Sequence, residues 1–444
     1  MVKTSAPVQL SLAAFEEDIC LAYTRKNLLR GGPVELACNM ISFQENAAIF
    51  DIDPPLALLR NAILSLSVTF FGSQHRQDRI TAKGYHQYGG VLRQLNVALG
   101  DPARQTINAT ILTALTCMLL EIFLPTGPAN FLKHQRGIEA LMALRGPPTE
   151  TEGDTAIIFR GLRIVSIIGA LAESRPSIYA KKEWKHAPVA STTEMGVLHH
   201  KIFAVLADCT QLTSECNSLS KSEPIQESYG SLLVRADRAL DDLSALYPIW
   251  ESINASEMRD TEQMSPLAIE LGVANHFSAS AYMLYHTARI CIIQIKDRLC
   301  PSPSNVKLRN AAAMNIAKCL ELKEYEKRQG GPESNTIGFV ATKVAWQALG
   351  GFNTPEGRKL AQVVRSAVNG VYRSPWEQVE TDNASLLDSP DWLFAQLSPD
   401  ASETKGMDHL IPREPEIIDV GFKHVSPSPE QDTFDFKNFM LHTP

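Results

Sequence analysis

Asp237, Asp241 and Asp242 come nearest, in this sequence of 444 residues, to a constellation that could do chemistry. Asp237 and Asp241 are four residues apart and share a helix face, the arrangement by which a terpene cyclase holds magnesium ions around a diphosphate. Ala245 stands where the third acid of such a motif belongs, however, and no second acidic motif accompanies it. With Arg235 and Arg238 interleaved, the segment reads as a solvated helix face.

Zinc needs four cysteine or histidine ligands, usually two of them in a tight pair, and the sequence has no Cys-x-x-Cys. Cys209 and Cys216, and Cys291 and Cys300, are too widely spaced and sit in apolar surroundings, so all eight cysteines read as reduced thiols that pack. His199 and His200 are adjacent and point to different faces. His134 and His286 lie among apolar or aromatic neighbours, as packing histidines do. The motifs of nucleotide binding, serine hydrolysis and zinc proteolysis are missing, and paired glycines such as Gly89-Gly90 lack the remaining positions. Arg160 and Arg163 share a face, and Lys181-Lys182-Glu183-Trp184-Lys185-His186 is a small basic cluster, read as a solvated loop able at most to touch phosphate or an import receptor. No catalytic, cofactor-binding or metal-binding residue is assigned, and no cofactor is expected.

The elements carrying these residues are helical. Leu59, Ala62, Ile63, Leu66 and Phe70 recur at helical steps behind the start signal Asp53-Pro54-Pro55. The same period runs through 85–95 and 107–122, and through a segment from Thr126-Gly127-Pro128 to Arg145-Gly146-Pro147-Pro148. Further helices are expected at 155–172, 194–216, 228–246, 265–297, 309–328, 335–349 and 355–372, the last capped by Thr354-Pro355. No alternating strand pattern is evident. The longest apolar runs, around 111–124 and 290–295, fall short of the ~18 residues that span a bilayer, so no membrane segment is expected.

The formal net charge is −7, which gives no global cationic field for a polyanion. The charge is uneven: residues 374–444 hold 14 acids and 4 bases, a net of −10, and eight prolines. Acidic and aromatic residues interleave at 391–394 and 432–440, a composition typical of activation segments. The expected fold class is therefore all-α: one large domain of packed amphipathic helices over 1–373 and an acidic, largely disordered tail over 374–444.

The string Phe131, His134, Gly137, Leu141, Arg145-Gly146-Pro147, followed by Phe159, Arg160, Arg163 and Trp184, resembles the fungal-specific transcription factor domain, the helical region of fungal zinc binuclear cluster regulators. The stretches 59–71, 85–95, 111–123 and 276–293, the last with Tyr282, Tyr285, His286 and Arg289, are similar to further helices of that domain, so the resemblance spans roughly 10–372. These positions read as fold markers, with Gly137 allowing a close helix approach. The resemblance implies a non-enzymatic regulator of a metabolic or secondary-metabolite gene set in a filamentous fungus, located in the nucleus and also in the cytoplasm. Cys20 and Cys38 cannot replace the six cysteines of a zinc cluster. The expectation is action through other regulators or the activation machinery, as a homo- or heterodimer, without DNA contact of its own; a missing upstream exon is the other explanation. The alternative is a repurposed helical protein that binds or converts a small molecule between His134, Tyr282, Tyr285, His286 and Trp346.

Overall fold

A computed structural model describes residues 15–42, 49–124, 126, 130–188, 193–219, 226–260, 269, 272–328 and 336–360. The tail expected over 374–444, its two aromatic islands and the expected helix beyond residue 360 lie outside the described residues. Among those described there is no strand, and the fold is all-α. The helices gather into two compact units; the first holds the described helices up to Thr126 and the second those that follow.

In the first unit α1 (Glu16–Asn27), α2 (Gly32–Ser42), the single turn α3 (Ile49–Ile52), α4 (Pro54–Gln74), α5 (Asp78–Leu99) and α6 (Asn108–Phe123) pack around α4. The start signal works as expected: Pro54 and Pro55 open α4, and the Leu56 amide donates to Asp53 Oδ1 at 3.0 Å. α4 is buried on nearly every side, and α1, α2, α5 and α6 all lie against it. Neither α1 nor α2 is evident from periodicity. α1 turns only Cys20 and Thr24 fully inward, too little to mark an apolar stripe, and Glu16 on its outer side pairs with Arg79 and Lys83 of α5 at 3.0 Å each.

The α4–α5 contact depends on glycine. A Cβ on Gly84 would stand 2.6 Å from the Thr69 amide nitrogen, and one on Gly72 would stand 2.5 Å from that of Thr81. Ser65 Oγ also donates to the Gly84 carbonyl at 3.2 Å. Alanine at 84 gains up to about 1 kcal/mol of helix propensity, but overpacking against backbone costs about 1–3 kcal/mol. The clash wins: Gly84→Ala is expected to lower the urea midpoint of the first unit, and an unchanged or raised midpoint would show that the two helices part without penalty.

The second unit begins with α7 (Asn130–Arg145), α8 (Asp154–Ala172), a 3-10 turn (Ile178–Ala180), α9 (Lys182–Lys185) and α10 (Glu194–Leu219). It continues with α11 (Gln226–Ser244), α12 (Tyr247–Asp260), α13 (His276–Leu299), α14 (Pro303–Arg328) and α15 (Thr336–Ala348). α13 is the hub, touched by α10, α11, α12, α14 and α15, while α10 reaches α8 and α8 reaches α7. The terminus of α7 is as expected, with Arg145 last and Gly146 at φ +83°. Thr354 caps the helical turn at 355–360, where the Gly357 amide donates to its Oγ1 at 3.1 Å.

Two boundaries differ from the sequence expectation. The helix expected over 265–297 starts only at His276, because Gly272 takes φ +66° and Asn275 Oδ1 accepts from the amides of Phe277 and Ser278 at 2.9 and 3.0 Å. Downstream of α11, Tyr247-Pro248 opens a helix that no apolar period marks, since its inner face carries Asn254. That amide takes the place of an apolar anchor: Asn254 Nδ2 donates to the Gly272 carbonyl at 2.8 Å, and its Oδ1 accepts from the Ala274 amide at 2.9 Å.

α4 and α8 are long and apolar enough to cross a membrane, although polar residues interrupt the apolar run in each. In each, 72% of the apolar window is buried inside its unit, as for the central helix of a packed bundle.

Candidate functional site

Phe159 on α8, Tyr179 in the 3-10 turn and Trp184 on α9 meet although they come from three separate elements. Phe159 stacks on Trp184 with ring centroids 5.8 Å apart, and Tyr179 sits edge-on to Trp184 at 5.3 Å. The Tyr179 hydroxyl donates to the Phe159 carbonyl at 2.8 Å, and burial holds the phenol well above its ordinary range. This cluster pins the irregular segment 173–186 onto α8.

A polar network lies beneath it. Glu139 of α7 is buried, and its Oε1 accepts from Ser166 Oγ on α8 at 2.7 Å and from the Ile178 amide at 2.9 Å. Its Oε2 forms an ion pair with Arg175 and accepts from Gln135 at 3.3 Å. Arg175 also pairs with Glu173 at 2.7 Å and donates to Gln135 Oε1 at 2.9 Å. Ser177 extends the network to α10, where its amide donates to Thr210 Oγ1 at 3.0 Å. Every oxygen of the buried carboxylate is engaged, the condition under which a buried charge is tolerated.

One helical turn from Phe159, Arg163 is buried at 7% exposure. Its guanidinium lies 4.0 Å from the Phe203 ring centroid, and NH1 donates to His200 Nδ1 at 2.7 Å. A guanidinium only donates, so Nδ1 is the accepting nitrogen and the His200 ring is neutral, with Nε2–H directed at the Lys185 carbonyl 3.3 Å away. Burial, reinforced by Arg163, holds the His200 and His199 imidazoles below the ordinary 6.5, His199 down to about 4. Lys185 itself pairs with Asp208 of α10. Arg163 and Lys185, one from each basic feature of the sequence, thus both reach α10, while Lys181, Lys182 and His186 remain exposed.

A second aromatic group joins α12 to α13. Trp250 and Tyr282 lie 4.6 Å apart, Tyr247 and Tyr285 5.4 Å, and Tyr282 and Tyr285 approach His286 at 4.3 and 5.1 Å. Asn315 Nδ2 of α14 donates to His286 Nε2 at 3.2 Å, the His286 Nδ1 is buried without a partner, and burial depresses the imidazole to about 3. Of the five residues considered for a small-molecule site, Tyr282, Tyr285 and His286 come together. His134 lies on α7, and Trp346 on α15 packs against Gly351, where a Cβ would stand 3.1 Å from its ring.

The other candidates fall as follows. Asp237, Asp241 and Asp242 are exposed on α11, with Asp237 paired to Lys296 at 2.6 Å. Cys209, Cys216 and Cys291 are buried free thiols and Cys300 is an exposed one. Burial pushes the Cys20 and Cys38 thiols up to about 11 and that of Cys291 up to about 12, which keeps them protonated and unreactive. Among the described residues no three His, Cys, Asp or Glu side chains are grouped to hold a metal ion.

Gly137 requires correction. It is exposed, and a Cβ there would meet nothing within 4 Å, so it admits no neighbouring helix. The close approach between α7 and α8 is instead at Gly169, where a Cβ would stand 2.3 Å from the Gln135 amide carbon. Sequence spacing misses this, and it misses Glu139, because their partners are distant along the chain.

Comparison with known proteins places these features in context. A curated relative from Emericella nidulans, "Uncharacterized protein AN5342", is 26% identical over 124 residues, which are 28% of this chain and 27% of that protein. The chain thus matches about a quarter of that relative's length. No solved structure matches it. The family model described as "Fungal specific transcription factor domain" matches residues 37–333, from α2 to the far end of α14 and across both the aromatic cluster and the Glu139 network. With more than half of its length so matched, the chain belongs to the fungal specific transcription factor domain family.

Proposed function

We propose that this chain regulates transcription in the nucleus through contacts with other regulatory proteins, that it controls a metabolic or secondary-metabolite gene set, and that it catalyses no reaction. The family match over 37–333 carries the reading. The interior geometry supports it: the Glu139 network and the Phe159–Tyr179–Trp184 cluster are internally saturated, and so leave recognition to the outer surface. DNA contact falls to a partner in this reading, and the eight cysteines are free thiols, seven of them buried. The acidic, aromatic composition of 374–444 supports a role in recruiting activation machinery.

The test is a reporter assay with the full chain fused to a heterologous DNA-binding domain. Reporter output is expected to change, and replacing Trp392, Phe394, Phe434, Phe436 and Phe439 by alanine is expected to remove most of the change. A fusion that is expressed and nuclear but leaves the reporter at its baseline would sink the proposal.

A further inference from the structure

We draw no further inference here: the strongest candidate, the exposed surface patch along α7 on which Lys133, Gly137 and Leu144 share one face, carries nothing because nothing in the structure shows what covers it.

Discussion

Glu139→Ala is expected to destabilise the second unit by about 3–5 kcal/mol, the range for breaking a buried ion pair from one side. The loss is not confined to one contact. Without the carboxylate, Ser166 Oγ and the Ile178 amide lose their acceptor, Arg175 keeps only Glu173 as an ionic partner, and Gln135 loses one hydrogen bond. Each buried group left unsatisfied costs about 1–3 kcal/mol, so the sum exceeds the effect of truncating an exposed glutamate such as Glu183 several times over. Glu139→Gln keeps an acceptor for Ser166 and Ile178 while removing the charge opposite Arg175, and should fall between alanine and wild type. Urea midpoints of the three proteins check this; an alanine variant within about 0.5 kcal/mol of wild type would mean that the network does not hold α7, α8 and the 173–180 segment together.

Acid is expected to weaken the same unit well before its carboxylates titrate. Burial depresses His134 and His199 to about 4 and His286 to about 3, each from an ordinary 6.5. The neighbouring cations Lys133, Arg163 and Arg289 act in the same direction, and the groups facing His286 from its own helix and α14 are Tyr282, Tyr285 and Asn315. These rings are neutral in the folded chain and take up protons on unfolding once the pH is below 6.5. Their stabilisation is therefore complete above pH 6.5, declines as the pH falls from 6.5 towards 4, and levels off below the folded values. Each contributes up to about 1.4 kcal/mol per pH unit inside that window. Moving from pH 7 to pH 5 should therefore cost the unit roughly 5 kcal/mol in total. Urea unfolding monitored at both pH values measures it, and equal stabilities would show that the rings are solvated rather than buried.

Much of the helical skeleton is legible in the sequence because its signals are local. Asp53-Pro54-Pro55, Arg145-Gly146 and Thr354-Pro355 each act within one helical turn, and each sits where its spacing implies. The interruption before α13 is also local, since Gly272 and Asn275 supply the turn and the cap, yet an unbroken apolar period on the far side hides it. α12 escapes notice for the opposite reason: Asn254 replaces an apolar residue on its buried face, and only the partners at 272, 274 and 278 show that the amide is satisfied there.

The candidate site is legible in part. Phe159, Arg163 and Trp184 stand out by type and do converge, but what surrounds them does not follow from spacing. Glu139 meets Ser166, Arg175 and Ile178 through tertiary packing alone, and no helical period of α7 separates it from the charged surface positions Lys133 and Arg136. Gly137 shows the limit from the other side: glycine in a helix marks close approach only where another backbone or side chain arrives, and here that place belongs to Gly169.

Transcript profiling of a strain lacking this protein, complemented with either the wild-type chain or Glu139→Ala, tests the central claim most directly. The expected result is a defined set of transcripts that changes on deletion, returns with the wild-type chain and does not return with the destabilised variant. Unchanged transcripts in the deletion strain, together with the accumulation of one metabolic intermediate, would contradict a regulatory role and favour a helical protein that acts on a small molecule.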